Sequence, residues 1–243
     1  VAAVALLGLS TAAPANVIVH YSADAGGLNP GSLNGLSASA EFSIAGTQLT
    51  ITLRNTSTGV PVGAMTADSL LASLAFELLD GITIVSGDSA VIGAGSVGLG
   101  TWSGEGPGYN VGDEWLWTND GAGDLLETFP QVISTSQGAD GGTNTSFNGV
   151  PDPIVGGPFG GLAAAPPLMA IPGTQPAVSD SIEFTLTLSG TLTKAQLVDI
   201  AEGSIVEFGS DYQYLEVPAP ASLVLLALGL PALAGARRRR TTN

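Results

Sequence analysis

Cysteine is missing altogether from the 243 residues, and histidine occurs once, as His20. Without thiols the chain has no disulfide staple, no thiol nucleophile and no cysteine-ligated metal site. A single imidazole leaves zinc without its usual nitrogen ligands, and any Ser-His-Asp triad would have to run through His20. That residue sits beside Tyr21 in a short segment that reads as a strand, an ordinary place for a lone histidine. Positive charge is scarce as well. The chain holds six Lys and Arg against 21 Asp and Glu, and four of the six are the terminal run at 237–240. Between residues 16 and 216 only Arg54 and Lys194 oppose all 21 acidic residues, a net charge of −19 where the whole chain has −15. Such a surface repels nucleic acid phosphates and anionic polysaccharide unless divalent cations bridge them. No nucleic acid partner is therefore expected. Charged residues nevertheless make up only 11% of the chain and hydrophobic ones 44%, which is the balance of a folded domain and not of a disordered acidic tail. No phosphate-cradling Gly-rich loop or dinucleotide fingerprint is present. Glu105 and Glu114 could be imagined as a glycosidase pair, but their spacing fixes no separation between them. No catalytic residue is assigned, and the expectation is a protein that is not an enzyme.

What the chain does have is a three-part C-terminus. A proline-bracketed hinge, Val217, Pro218, Ala219 and Pro220, leads into an apolar run over 221–236 and then Arg237, Arg238, Arg239 and Arg240. As a helix the run is about 24 Å long, and about 30 Å if it starts at Val217, close to one hydrocarbon thickness. Four guanidiniums do not cross that layer, and basic residues flanking a span stay on the cytoplasmic side. The tail is thus expected to act as a stop-transfer element, membrane-inserted through 221–236, with the preceding residues outside.

The match of Val217, Pro218 and Pro220, then 223–230, then Arg237–Arg240, resembles the PEP-CTERM sorting signal of Gram-negative bacteria. Ala219 stands where that family usually has Glu. The resemblance covers about the last tenth of the chain. It implies recognition by an exosortase-type sorting enzyme, a membrane-embedded cysteine transpeptidase. The product would be released from an inner-membrane precursor towards the cell surface, outer envelope or exopolysaccharide matrix, as in a biofilm. The plainer alternative is a single-span anchor.

At the other end, residues 1–9 are apolar but too short to span, and Ala13-Pro14-Ala15 suits signal peptidase cleavage before Asn16. Residues 1–15 therefore read as a signal peptide lacking its basic start. The expected organisation is this leader, an acidic ectodomain over 16–209, a linker over 210–216 and the sorting signal over 217–240.

Periodicity within the ectodomain is mostly two. Residues 17–21, 38–44, 49–53, 181–188 and 205–208 read as strands, with a turn at Ala45-Gly46 making a hairpin of the second and third. Residues 70–79 fit either a helix or a strand. Strand is preferred, because Asp80-Gly81 is a hairpin signal and 82–85 follows at once. Residues 192–201 read as one short helix. The stretch 138–173, rich in Gly and Pro, reads as a surface insertion or semi-ordered excursion. Short strands with Gly-rich turns predict an all-β fold, an antiparallel β-sandwich of jelly-roll kind, followed by a C-terminal transmembrane helix.

Residues 101–124 hold all three tryptophans, Trp102, Trp115 and Trp117, together with Tyr109 and a cluster of carboxylates. These aromatics either pack in the core or form a sugar-stacking platform, so a carbohydrate-binding module with a polysaccharide partner is the rival to a structural protein. No cofactor is expected apart from calcium. Asp120 and Asp124, within Asn119-Asp120-Gly121-Ala122-Gly123-Asp124, are its candidate ligands, although the spacing is not that of an EF-hand. A looser candidate is the stretch from Asp140 to Asn144.

Overall fold

The computed structural model describes residues 15–23, 35–120, 129–135, 145–147, 158–209 and 213–218. Residues 1–14 of the expected leader, the Asp124 half of the candidate calcium loop, residues 140–144 and the tail from Ala219 onward lie outside the described residues.

Alternation builds the first sheet. Strands β1 (Ala15–Ser22), β2 (Ser37–Ala45), β3 (Gln48–Asn55), β5 (Ile84–Ile92) and β12 (Ser181–Leu188) lie in the order β1-β2-β3-β12-β5, all antiparallel. Along β2 every second residue, Ala38 to Ile44, turns inward, and Leu49, Ile51 and Leu53 do the same on β3. Register places Phe42 opposite Ile51, Ile51 opposite Phe184 and Phe184 opposite Ala90, so one apolar band crosses four strands. Both the expected β2–β3 hairpin and the strand at 181–188 are present.

The second sheet is built from shorter pieces. It runs β6 (Val97–Gly100), β11 (Pro176–Ser179), β10 (Leu162–Ala163), β4 (Leu71–Phe76), β8 (Gln131–Ser134), β7 (Leu116–Thr118) and β9 (Thr145–Ser146). Strand β13 (Ile205–Phe208) also pairs with β4, and β14 (Gln213–Glu216) pairs with β13. All six residues of β4 are buried. Leu74 and Phe76 join the main core, while Ala75 joins Val132, Ile205 and Tyr214 in a second cluster. A strand covered on both faces loses its alternation, which is why 70–79 fits two periodicities. Across the middle of this sheet Ser73 donates to Glu207 at 2.7 Å and bonds Ser134 at 2.8 Å, directional contacts that pin three strands in register.

The two sheets share one core. Phe42 of the first meets Phe76 of the second edge to face, with ring centroids 6.2 Å apart. Trp115, just before β7, meets Phe184 of β12 at 4.8 Å. The helix α1 (Lys194–Glu202) starts with a capping box between Thr193 and Gln196, buries Leu197, Ile200 and Ala201, and packs against β1 and β2. Among the described residues the fold is all-β with one short α-helix.

Four expectations need correction. Asp80-Gly81 is a turn, with Gly81 at φ 83° and Ile82 N–H donating to the Leu79 carbonyl, but it does not make a hairpin. It carries the chain from β4 in one sheet to β5 in the other, because each strand has its backbone partners elsewhere. The stretch 210–216 is not merely a linker, since β14 lies within it. Where 138–173 is described it is no loose insertion: β9 and β10 lie within it, and Leu162, Ala163 and Ala164 are buried. The sheets are not wholly antiparallel, because β10 and β11 run parallel. Among the described residues no helix is long and apolar enough to cross a membrane; residues 221–236, where that helix is expected, lie outside them.

Tyr21 joins β1 to the end of α1. Its hydroxyl is fully buried and bonds Ser204 Oγ at 2.6 Å. Burial pushes the phenol well above the usual tyrosine range, with the Ser204 bond a smaller opposing effect. The fold therefore favours the neutral phenol, while the unfolded chain gives up that proton near about pH 10. Its contribution is present below that pH and lost as pH rises further. In denaturant titrations, Tyr21→Phe is expected to cost about 0.5–1.5 kcal/mol near neutrality and to lose less stability than the parent above about pH 10.

Candidate functional site

After β6 the chain folds back on itself. Thr101 N–H donates to the Gln175 carbonyl at 3.2 Å, Trp102 N–H to Leu99 at 3.1 Å and Gly98 N–H to Glu105 at 2.9 Å. It then returns along β5 through Ile92 N–H to Tyr109 O and Val111 N–H to Ala90 O, both 2.9 Å. These bonds set Trp102 half-buried against the core, with Tyr109 edge-on at 6.4 Å and 37% exposed.

The three tryptophans are parted. Trp115 has no exposed surface, and its Nε1 donates to the Gly160 carbonyl at 3.1 Å. Trp117, two residues on and facing the same way, packs on the same core across Gly87. A Cβ at Gly87 would lie 2.4 Å from that indole, so the strand approaches as closely as it does only because the residue is glycine. The Trp117 Nε1 is buried and has no hydrogen-bond partner among the described residues. The platform of Trp102, Trp115 and Trp117 does not form, because the strand alternation that puts the last two on one face puts that face on the core. Trp102 and Trp117 are both partly exposed, and Trp102 borders a cleft.

The cleft has a volume of about 270 Å³ and is lined by Thr101, Trp102, Glu114, Phe159, Thr174, Gln175 and Pro176. The β6–β11 pairing, with Gly100 opposite Pro176, brings residues near 100 to those near 175. Glu114 is the one carboxylate of the lining and is half-buried; Glu105 is exposed and lies outside it. The cleft therefore does not set those two glutamates facing each other. Burial raises the Glu114 carboxyl above its ordinary value of 4.5, and the neighbouring charge of Asp113 adds to the rise. A raised value means that the fold favours the protonated form, so its contribution is held at low pH and lost as pH rises through the glutamate range. Glu114→Gln is expected to match the parent in acid and to be the more stable protein at neutrality. Urea midpoints at about pH 3 and about pH 7 measure the crossover.

The remaining site residues fall elsewhere. His20 is exposed on β1, opposite Ser39. Asp120 is exposed, and its N–H donates to Thr118 Oγ1 at 3.0 Å. Asn119 acts as an extension of the sheet: its side chain accepts from Ile84 N–H at 2.8 Å and donates to the Ile84 carbonyl at 2.7 Å. Among the described residues no group of three or more Asp, Glu or His is placed to hold a metal ion. A second recess of about 380 Å³ lies by the end of α1, with Glu77, Asp80, Asp199 and Phe129 around it. Of the sorting motif, Val217 packs half-buried on the core and Pro218 is exposed. Phe159, Thr174, Gln175 and Pro176 are not legible as lining from the sequence, since each stands in a Gly/Pro-rich region without a motif of its own. No protein-family model, curated protein or solved structure matches this chain.

Proposed function

We propose that the chain is an exported, surface-destined β-sandwich of jelly-roll kind, with a structural or interaction role in the cell envelope or exopolysaccharide and no catalysis of its own. The observation that carries this reading is the tail: a hinge at Val217, Pro218, Ala219 and Pro220, an apolar run of about 24 Å as a helix, and four arginines that cannot follow it across. The geometry around the hinge is consistent with such a tail. Strand β14 ends at Glu216, Val217 still touches the core and Pro218 is exposed, so the motif follows directly on the last described strand. Arg54 is paired with Asp180, which leaves Lys194 as the other cation of an otherwise acidic domain. An exosortase-type enzyme is the proposed processing partner. The rival module built on three tryptophans has less support, because Trp115 is fully buried and Trp117 packs partly buried against the core.

Mass spectrometry of the mature protein tests the sorting step. A C-terminus within Ala219–Ser222 is expected; an intact Arg240 on the membrane-bound protein would instead make the tail a plain anchor.

A further inference from the structure

We propose that the cleft beside Trp102 is a binding subsite for one ring of a neutral saccharide. The inference goes beyond the sorted, structural role and does not depend on it. Its size comes first: about 270 Å³ is just under the 300–1,000 Å³ range of small-molecule pockets, room for a single sugar ring. Its chemistry is divided as a pyranose requires. Trp102 and Phe159 supply aromatic surface, whose negative π faces attract the polarised C–H bonds on the apolar side of a sugar. Thr101, Glu114, Thr174 and Gln175 supply hydroxyl, carboxylate and amide groups that donate to and accept from sugar hydroxyls.

Charge selects among sugars. The single ionisable lining residue is an acid, Asp113 stands next to it in sequence, and the domain around them is strongly negative. Uronates and sulfated sugars are disfavoured on all three counts. A cation would also suit an aromatic ring beside a carboxylate. Three of the four polar lining side chains are uncharged, however, and serve hydroxyls better than they serve an ammonium group. Glu114 is half-buried, so its oxygens are partly stripped of water and gain from a hydroxyl donor placed against them.

The test is calorimetric titration of the full-length chain with cellotetraose, xylotetraose and mannotetraose. Trigalacturonate and tetramethylammonium stand as the charged alternatives. Saturable binding of at least one neutral tetramer, with a Kd of about 1 mM, is expected. It should weaken at least tenfold in Trp102→Ala and in Gln175→Ala. The second variant keeps the test open if the first, which touches the core, fails to fold. Trp117→Phe should bind as the parent does. Absence of binding by all three neutral tetramers, binding of a charged probe alone, or affinity indifferent to both cleft variants would each overturn the proposal. An intact C-terminus would leave it standing, so its failure and that of the sorting step are told apart.

Discussion

Trp115→Ala is expected to cost about 3–5 kcal/mol, the range for emptying a large aromatic site in a packed core. Core packing is lost first. The ring is fully buried, its edge contact with Phe184 is at 4.8 Å, and Phe184 in turn supports Phe147 at 5.3 Å. The Nε1 bond to the Gly160 carbonyl is lost as well, leaving a buried acceptor without its donor. Against a total stability of about 5–15 kcal/mol, that is about a fifth of the total or more. Trp115→Phe separates the parts, because it keeps much of the ring and loses the hydrogen bond, and it should cost clearly less. Trp102→Ala should also cost less, since that indole is only half-buried. Guanidinium unfolding of the three variants ranks them. A loss below about 1 kcal/mol for Trp115→Ala would mean that the indole is not a core residue.

Gly100→Ala is the second large effect and comes from the backbone. Gly100 has φ 62°, and a Cβ there would lie 1.7 Å from the Gln175 carbonyl oxygen. No rotamer relieves a clash between a methyl group and a backbone atom. The strained conformation and the overlap together should cost about 2–4 kcal/mol. Gly46 is the internal control, with φ 65° and nothing within 4 Å of the place a Cβ would take. Gly46→Ala carries the conformational strain alone and should cost about 1 kcal/mol. Because β6 is an edge strand, Gly100→Ala is expected to act first by parting β6 from β11. Amide exchange should quicken at Thr101, whose N–H bonds Gln175, before it quickens along β12. Equal costs for the two glycine variants would contradict the close approach.

Which elements are legible in the sequence follows from how many faces they bury. Strands β2, β3 and β12 each set one face on the core and leave the other partly exposed, so their sequences alternate. The helix α1 shows itself through its short apolar stripe. Strand β4 is covered on both sides and cannot be told from a helix by period. Asp80-Gly81 is recognisable as a turn, but its destination depends on which strand offers free backbone groups, and that is a tertiary matter. Two-residue strands such as β9 and β10 are too short to show any period. The tryptophan-rich stretch stands out by composition, yet the side of the sheet that Trp115 and Trp117 occupy is set by β5 and β12. The cleft is invisible for a related reason: Trp102, Glu114, Phe159 and Gln175 are brought together by pairing across more than seventy residues.

The absence of cysteine makes the central claim, that the domain ends up beyond the cytoplasmic membrane, open to a direct measurement. Val62 is fully exposed in a loop, so Val62→Cys places one reactive thiol on the surface of a chain with no other. Intact spheroplasts expressing this variant are treated with a membrane-impermeant maleimide. Labelling without lysis is the predicted result; labelling that appears only once the cells are broken would contradict the account.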